Sequence, residues 1–138
     1  MLLKNEVKEC KLDDIATSSA GLFAKPGTPP DPKMVEYLSK IGISKINHEA
    51  RRIKKKDVDW ADLILVMEKE HSRMIERMWP DVKEKVGLMG RFVSEGDDAD
   101  DIVDPFGRTS YHYRLAQSQI ILAIRSLLKK IDQKALRR

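Results

Sequence analysis

Ala61-Asp62-Leu63-Ile64-Leu65-Val66-Met67 is the stretch on which the fold turns. From Leu63 to Met67 the residues are apolar without a break. A strand with one wet face alternates apolar and polar residues. An unbroken apolar run fits a strand covered on both faces, and such strands belong to parallel sheets with helices on either side. Just upstream, Asp57-Val58-Asp59-Trp60-Ala61 reads as a single helical turn leading into the strand. Just downstream, Met74, Ile75, Met78 and Trp79 form the apolar stripe of a helix that Pro80 ends. Val86, Leu88 and Met89 then mark another short strand.

Further out the alternation continues. Tyr113, Ala116, Ile120, Ile124, Leu127 and Ile131 are the stripe of a final helix of about five turns. Toward the other end, Asp31 can cap a helix with Pro32 at its first position. Met34, Val35, Leu38 and Ile41 give that helix its stripe, and Gly42 stops it. Before it lie a loop with Gly27, Pro29 and Pro30, and a short predicted strand over Ile15 to Gly21. Leu2, Leu3, Val7 and Cys10 share one face of a first helix, which has no capping residue ahead of it. The order is helix, strand, helix, strand, helix, strand, helix. It predicts one α/β domain over residues 1–138, a small parallel sheet flanked by helices on both faces. Such a sheet normally begins with a strand and holds its ligand at the carboxyl ends of the strands, near helix N-termini. The first strand and the loop after it are therefore expected to be missing.

Bulk composition narrows the class. The chain has 138 residues and is 41% hydrophobic, which suits a single globular core. No apolar run is longer than Leu63 to Met67, which is far too short for a membrane span. Met1-Leu2-Leu3-Lys4 lacks the features of a signal peptide, so a cytoplasmic protein is expected. The single cysteine, Cys10, excludes an internal disulfide and a cysteine-rich zinc site. No ligand pair has metal spacing, so neither metal nor cofactor is expected. Net charge is +4, from 26 Lys and Arg against 22 Asp and Glu. The excess gathers at Arg51-Arg52-Ile53-Lys54-Lys55-Lys56 and at Lys134 to Arg138. No aromatic interleaves with these basic residues, so nucleic acid is not the expected partner, and the first run reads as a solvated loop and helix start. His71 and His112 read as surface residues.

Asp104-Pro105-Phe106-Gly107 follows an acidic loop and precedes the final helix. It reads as a carboxylic acid on a rigid turn beside an aromatic ring. That suits a general acid. The plainer reading is an aspartate capping a turn before proline.

Taken in order, Ser18-Ser19-Ala20-Gly21, Gly42-Ile43-Ser44, His48-Glu49-Ala50-Arg51, Ala61 to Met67, Lys85-Val86-Gly87-Leu88-Met89 and Asp104-Pro105-Phe106-Gly107 resemble the low-molecular-weight protein tyrosine phosphatases. The bacterial branch, which includes protein-arginine phosphatases, is the most similar. Each motif alone is weak; their order carries the resemblance, from about Leu2 to Ile131. It implies a four-stranded parallel sheet with helices on both faces. It also implies hydrolysis of phosphorylated protein side chains through a phosphocysteine. In the family a Cys-x5-Arg loop binds the phosphate, its thiolate attacks phosphorus, and an aspartate protonates the leaving group. Asp104 matches that aspartate. Phe106 and Phe23 match aromatics lining the substrate cleft. Ser19 and His48 match residues that support the phosphate loop, and Glu68 stands where a contact with His48 can form. The departure is at the nucleophile: six residues after Cys10 stands Ala16, not arginine. Cys10 reads as a buried structural thiol. The expectation is a family member without its first strand and phosphate loop, inactive as given, with phosphotyrosine and phosphoarginine both open as substrates. The alternative is a non-catalytic binding module that self-associates through the exposed sheet, and sedimentation discriminates the two.

Overall fold

The apolar run does form a strand, β1 (Ile64–Val66), and it pairs in parallel with β2 (Val86–Leu88). The register sets Ile64 against Val86, Leu65 against Gly87 and Val66 against Leu88. The structure is a computed structural model and describes residues 15–43, 49–93 and 101–136, with backbone alone over 132–136. A parallel pair cannot be closed by a hairpin and needs a crossover. Helix α3 (Lys69–Met78) and the 3-10 turn Pro80–Lys85 supply it. The crossover is tied at its base, where Lys85 Nζ donates to the Ala61 carbonyl at 2.9 Å.

Strand alternation divides β1 between two layers. Ile64 and Val66 pack with Val58, Ile75, Val82 and Leu88, which come from α2 (Lys55–Trp60), α3, the Pro80–Lys85 turn and β2. Leu65 and Met67 pack instead with Met89, Ile102, Ala116 and Ala123. The last two residues belong to α4 (Ser110–Leu136), a helix of 27 residues. Helices therefore cover the sheet on both faces, as an unbroken apolar run requires. The molecule is α/β with a small parallel sheet, as expected from the sequence. The two tryptophans differ sharply: Trp79 packs against the first layer, whereas Trp60 is 57% exposed.

Helix α1 (Pro32–Lys40) forms as its signals predict. Asp31 is the N-cap, its Oδ1 accepting from the Lys33 N–H at 3.1 Å, and Pro32 is the first helical residue. Gly42, with φ of +91°, takes the left-handed conformation that ends the helix. Leu38 is its buried anchor, whereas Ile41 lies past the last turn and is exposed.

Two expectations need correction. Residues 15–20 form no strand; only Gly21 makes ladder bonds, in a parallel bridge with Arg52. Its N–H donates to the Arg51 carbonyl at 2.9 Å, and its own carbonyl accepts from Ile53 at 3.0 Å. Ala16 and Ser18 to Ala20 are small and exposed, so this segment has little apolar area to hold it flat against a neighbour. The expected five-residue strand is shortened to three: Leu63 is exposed at one end, and at the other the Met67 carbonyl accepts from the Ile102 N–H instead of from the ladder. The predicted first helix, with Cys10, lies outside the described residues.

Candidate functional site

The loop that carries Asp104 is pinned where it leaves the sheet. The Ile102 N–H donates to the Met67 carbonyl at 2.8 Å, just past the carboxyl end of β1. The Ile102 side chain is 3% exposed and joins the second layer. One residue earlier, Asp101 Oδ1 accepts from the Lys69 N–H at 2.8 Å and so caps α3 from 32 residues away. Glu68, the residue adjoining α3, provides no side-chain cap of its own. These two bonds hold the loop at the carboxyl end of the parallel sheet, the end at which such folds place their ligands.

Within the loop, Asp104 Oδ1 accepts from the Phe106 N–H at 3.0 Å. This is an Asx turn, so the turn-capping reading of Asp104 is correct in geometry. Oδ2 takes no part in that bond. The Arg108 N–H closes onto the Pro105 carbonyl at 2.9 Å, and Gly107 sits at φ of +76°, which favours glycine. Asp104 is exposed, and Phe106 is 73% exposed. The acid is thus held by its own turn while remaining open to solvent.

Tyr113, in the first turn of α4, backs this loop and is 1% exposed. Its hydroxyl donates to Asp31 Oδ2. The Gly107 backbone and the Asp104 carboxylate also act on the hydroxyl. The hydrogen bond to Asp31 raises the Tyr113 pKa above its ordinary value; burial and the nearby carboxylate charges add to the rise, and the Gly107 N–H opposes it. The Tyr37 ring stacks on Tyr113 at 5.7 Å, and Lys33 Nζ lies 5.6 Å from its centroid. One hydroxyl therefore joins the N-cap of α1 to the start of α4 beside the Asp104 loop.

A second node fixes the segment at 18–21. Arg51 Nη1 pairs with Asp57 Oδ1 at 2.8 Å, and Nη2 donates to Ser18 Oγ at 2.8 Å. Asp57 Oδ2 accepts from the Lys54 N–H at 2.8 Å. That N–H, and then the Arg51 guanidinium, hold the Asp57 carboxyl below the usual carboxylate range. Both Ser18 and Ser19 are exposed, and the serine bonded to Arg51 is Ser18. Phe23 is 73% exposed. Among the described residues, no hydrogen bond or ring contact joins Ser19 or Phe23 to the Asp104 loop. His48, and with it the contact with Glu68, lies outside the described residues. His71 and His112 are half-buried rather than fully on the surface, and His112 Nδ1 bonds Thr109 Oγ1 at 2.8 Å. Among the described residues no group of His, Cys, Asp or Glu is arranged to hold a metal ion. No described helix is long and apolar enough to cross a membrane.

Reading the sequence alone missed Asp101, Ser18 and the bond from Tyr113. Only Tyr113 carried a signal. A tyrosine on an apolar stripe buries a hydroxyl, and a buried hydroxyl normally finds a partner.

Fold and loop together define a class: a small parallel α/β domain that presents a carboxylic acid from the carboxyl end of its sheet. The family model described as low molecular weight phosphotyrosine protein phosphatase matches residues 1–137, and the chain belongs to that family. It is 33% identical over 131 residues to a protein-arginine-phosphatase of Geobacillus stearothermophilus, covering 95% of this chain and 84% of that protein. It is 35% identical to the low molecular weight protein-tyrosine-phosphatase Wzb of Salmonella typhi, covering 69% of this chain and 61% of that protein. Among solved structures, the YwlE arginine phosphatase from Geobacillus stearothermophilus superposes with a TM-score of 0.88 at 32% identity, covering 99% of this chain and 84% of that one.

Proposed function

We propose that these residues supply the acid–base half of a phosphatase site acting on phosphorylated protein side chains, with Asp104 as the proton donor. In the first step of such a reaction a thiolate bonds to phosphorus while the leaving atom departs with the Asp104 proton. In the second, water attacks phosphorus, gives its proton to Asp104 and releases the thiolate. Phe106 and Phe23 stand as the aromatic walls of the cleft, and Ser19 and His48 as supports of a phosphate-binding loop. The relatives act on arginine phosphate or tyrosine phosphate by their names, and both remain substrates for this reading. The observation that carries the reading is the Asp104 turn, pinned at the carboxyl end of the sheet inside a family match.

On this reading Cys10 is not the attacking thiolate. Cys10 is the single cysteine, and Ala16 stands where the family arginine would follow it. Prepared as these residues alone, the chain is expected to show no turnover of an aryl phosphate or of a phosphoarginine peptide above background. Turnover that Asp104→Asn abolishes would overturn that expectation. In a chain that adds a Cys-x5-Arg loop to these residues, Asp104→Asn should lower kcat by about 10²–10⁴-fold.

A further inference from the structure

A cavity of about 410 Å³ opens between α3, the Pro80–Lys85 turn and β2, and it shares no lining residue with the Asp104 loop. Lys69, Arg73, Lys83 and Arg91 surround it, with Glu76 the single carboxylate among its lining residues. Counting the lining side chains alone, four cations less one anion leave +3, with Glu70 beside Arg73 and Asp101 at the Lys69 amide outside that count. Ser72 adds a hydroxyl, and Val86 and Leu88 complete the lining with apolar surface.

The existing partners do not neutralise this charge. Arg73 pairs with Glu70 at 3.3 Å, but both side chains are more than half exposed, so the pair is weak. Glu76 accepts from Ser72 Oγ at 3.3 Å. Lys69, Lys83 and Arg91 have no ion pair among the described residues. The Lys69 N–H is already occupied by Asp101, so the cationic character comes from side chains and not from the helix end. Like charges gathered around one volume repel one another, and a multivalent anion relieves that repulsion. Guanidinium forks match phosphoryl oxygens in a bidentate manner, and the lysines add mobile point charges. The volume is in the range of small-ligand sites, about 300–1,000 Å³.

We propose that this cavity is a binding site for a polyanion bearing two linked phosphoryl groups, separate from the site at Asp104. The test is calorimetric titration of the 138-residue chain with inorganic pyrophosphate, with a short polyglutamate peptide as comparator. Saturable one-to-one binding is expected, weakened by added salt and at least about tenfold weaker in Arg91→Glu and in Lys83→Glu. Both positions are exposed, and circular dichroism of each variant checks that it remains folded. Lys55→Glu, in the separate basic run, should leave binding unchanged. Absence of saturable binding overturns the proposal. So does binding that Lys55→Glu removes and Arg91→Glu spares, or tighter binding of the peptide than of pyrophosphate.

Discussion

The hydroxyl of Tyr113 joins stretches far apart in sequence, and its chemistry makes that junction measurable. Asp31 accepts its proton in a hydrogen bond, and this is the largest cause of the raised Tyr113 pKa. The chain has three tyrosines, so an absorbance titration should show a step later than an ordinary phenol, and Asp31→Asn should move that step down. The sign of the stability effect follows. A group whose folded pKa lies above its unfolded value contributes stability that is complete below the unfolded value of 10.0. That contribution is lost as pH rises through the folded value. Tyr113→Phe should therefore flatten part of the alkaline loss of stability. A titration with no late step, or one that Asp31→Asn leaves unmoved, would show that the bond does not form in solution.

At the scale of elements, α3 starts on borrowed chemistry. Its N-terminal Lys69 amide is satisfied by Asp101, from a loop that returns after β2. Asp101→Ala should lower stability by about 1 kcal/mol, as the loss of a capping side chain does, and Asp101→Asn, which keeps an acceptor, by less. Urea denaturation reads the difference; equal losses would mean that the cap contributes nothing. This bond also marks where the sequence stopped being legible. Helix α1 was readable because Asp31, Pro32, Leu38 and Gly42 act within a few residues of one another. Strand β1 was readable because an unbroken apolar run admits few environments, and β2 because Val86, Leu88 and Met89 follow the helix that Pro80 ends. The segment at 15–20 misled because strand pairing depends on a partner, and small polar residues do not specify one. Asp104 was legible as a turn and as a family position, but its anchorage through Asp101, Ile102 and Tyr113 rests on distant partners with no local signature.

Across the whole molecule the sheet separates two apolar layers, with Ile75 in one and Ile102 in the other. Both are nearly fully buried, so Ile→Ala at either would remove a large part of the stability of a domain this size, about 2–5 kcal/mol. The milder Ile75→Val and Ile102→Val should each cost about 0.5–1.5 kcal/mol and leave a folded protein. Because the two share no side-chain cluster, their costs should add to within about 0.5 kcal/mol in the double variant. A coupling well beyond that would mean that the sheet transmits strain between the layers. The two tryptophans turn this arrangement into an optical instrument. Trp79 lies against the layer that contains Ile75, and Trp60 faces solvent. Trp60→Phe leaves a single tryptophan, whose selectively excited emission reports on one layer alone. The other layer is then followed by backbone signals, so the order in which the two come apart can be timed without attaching a dye.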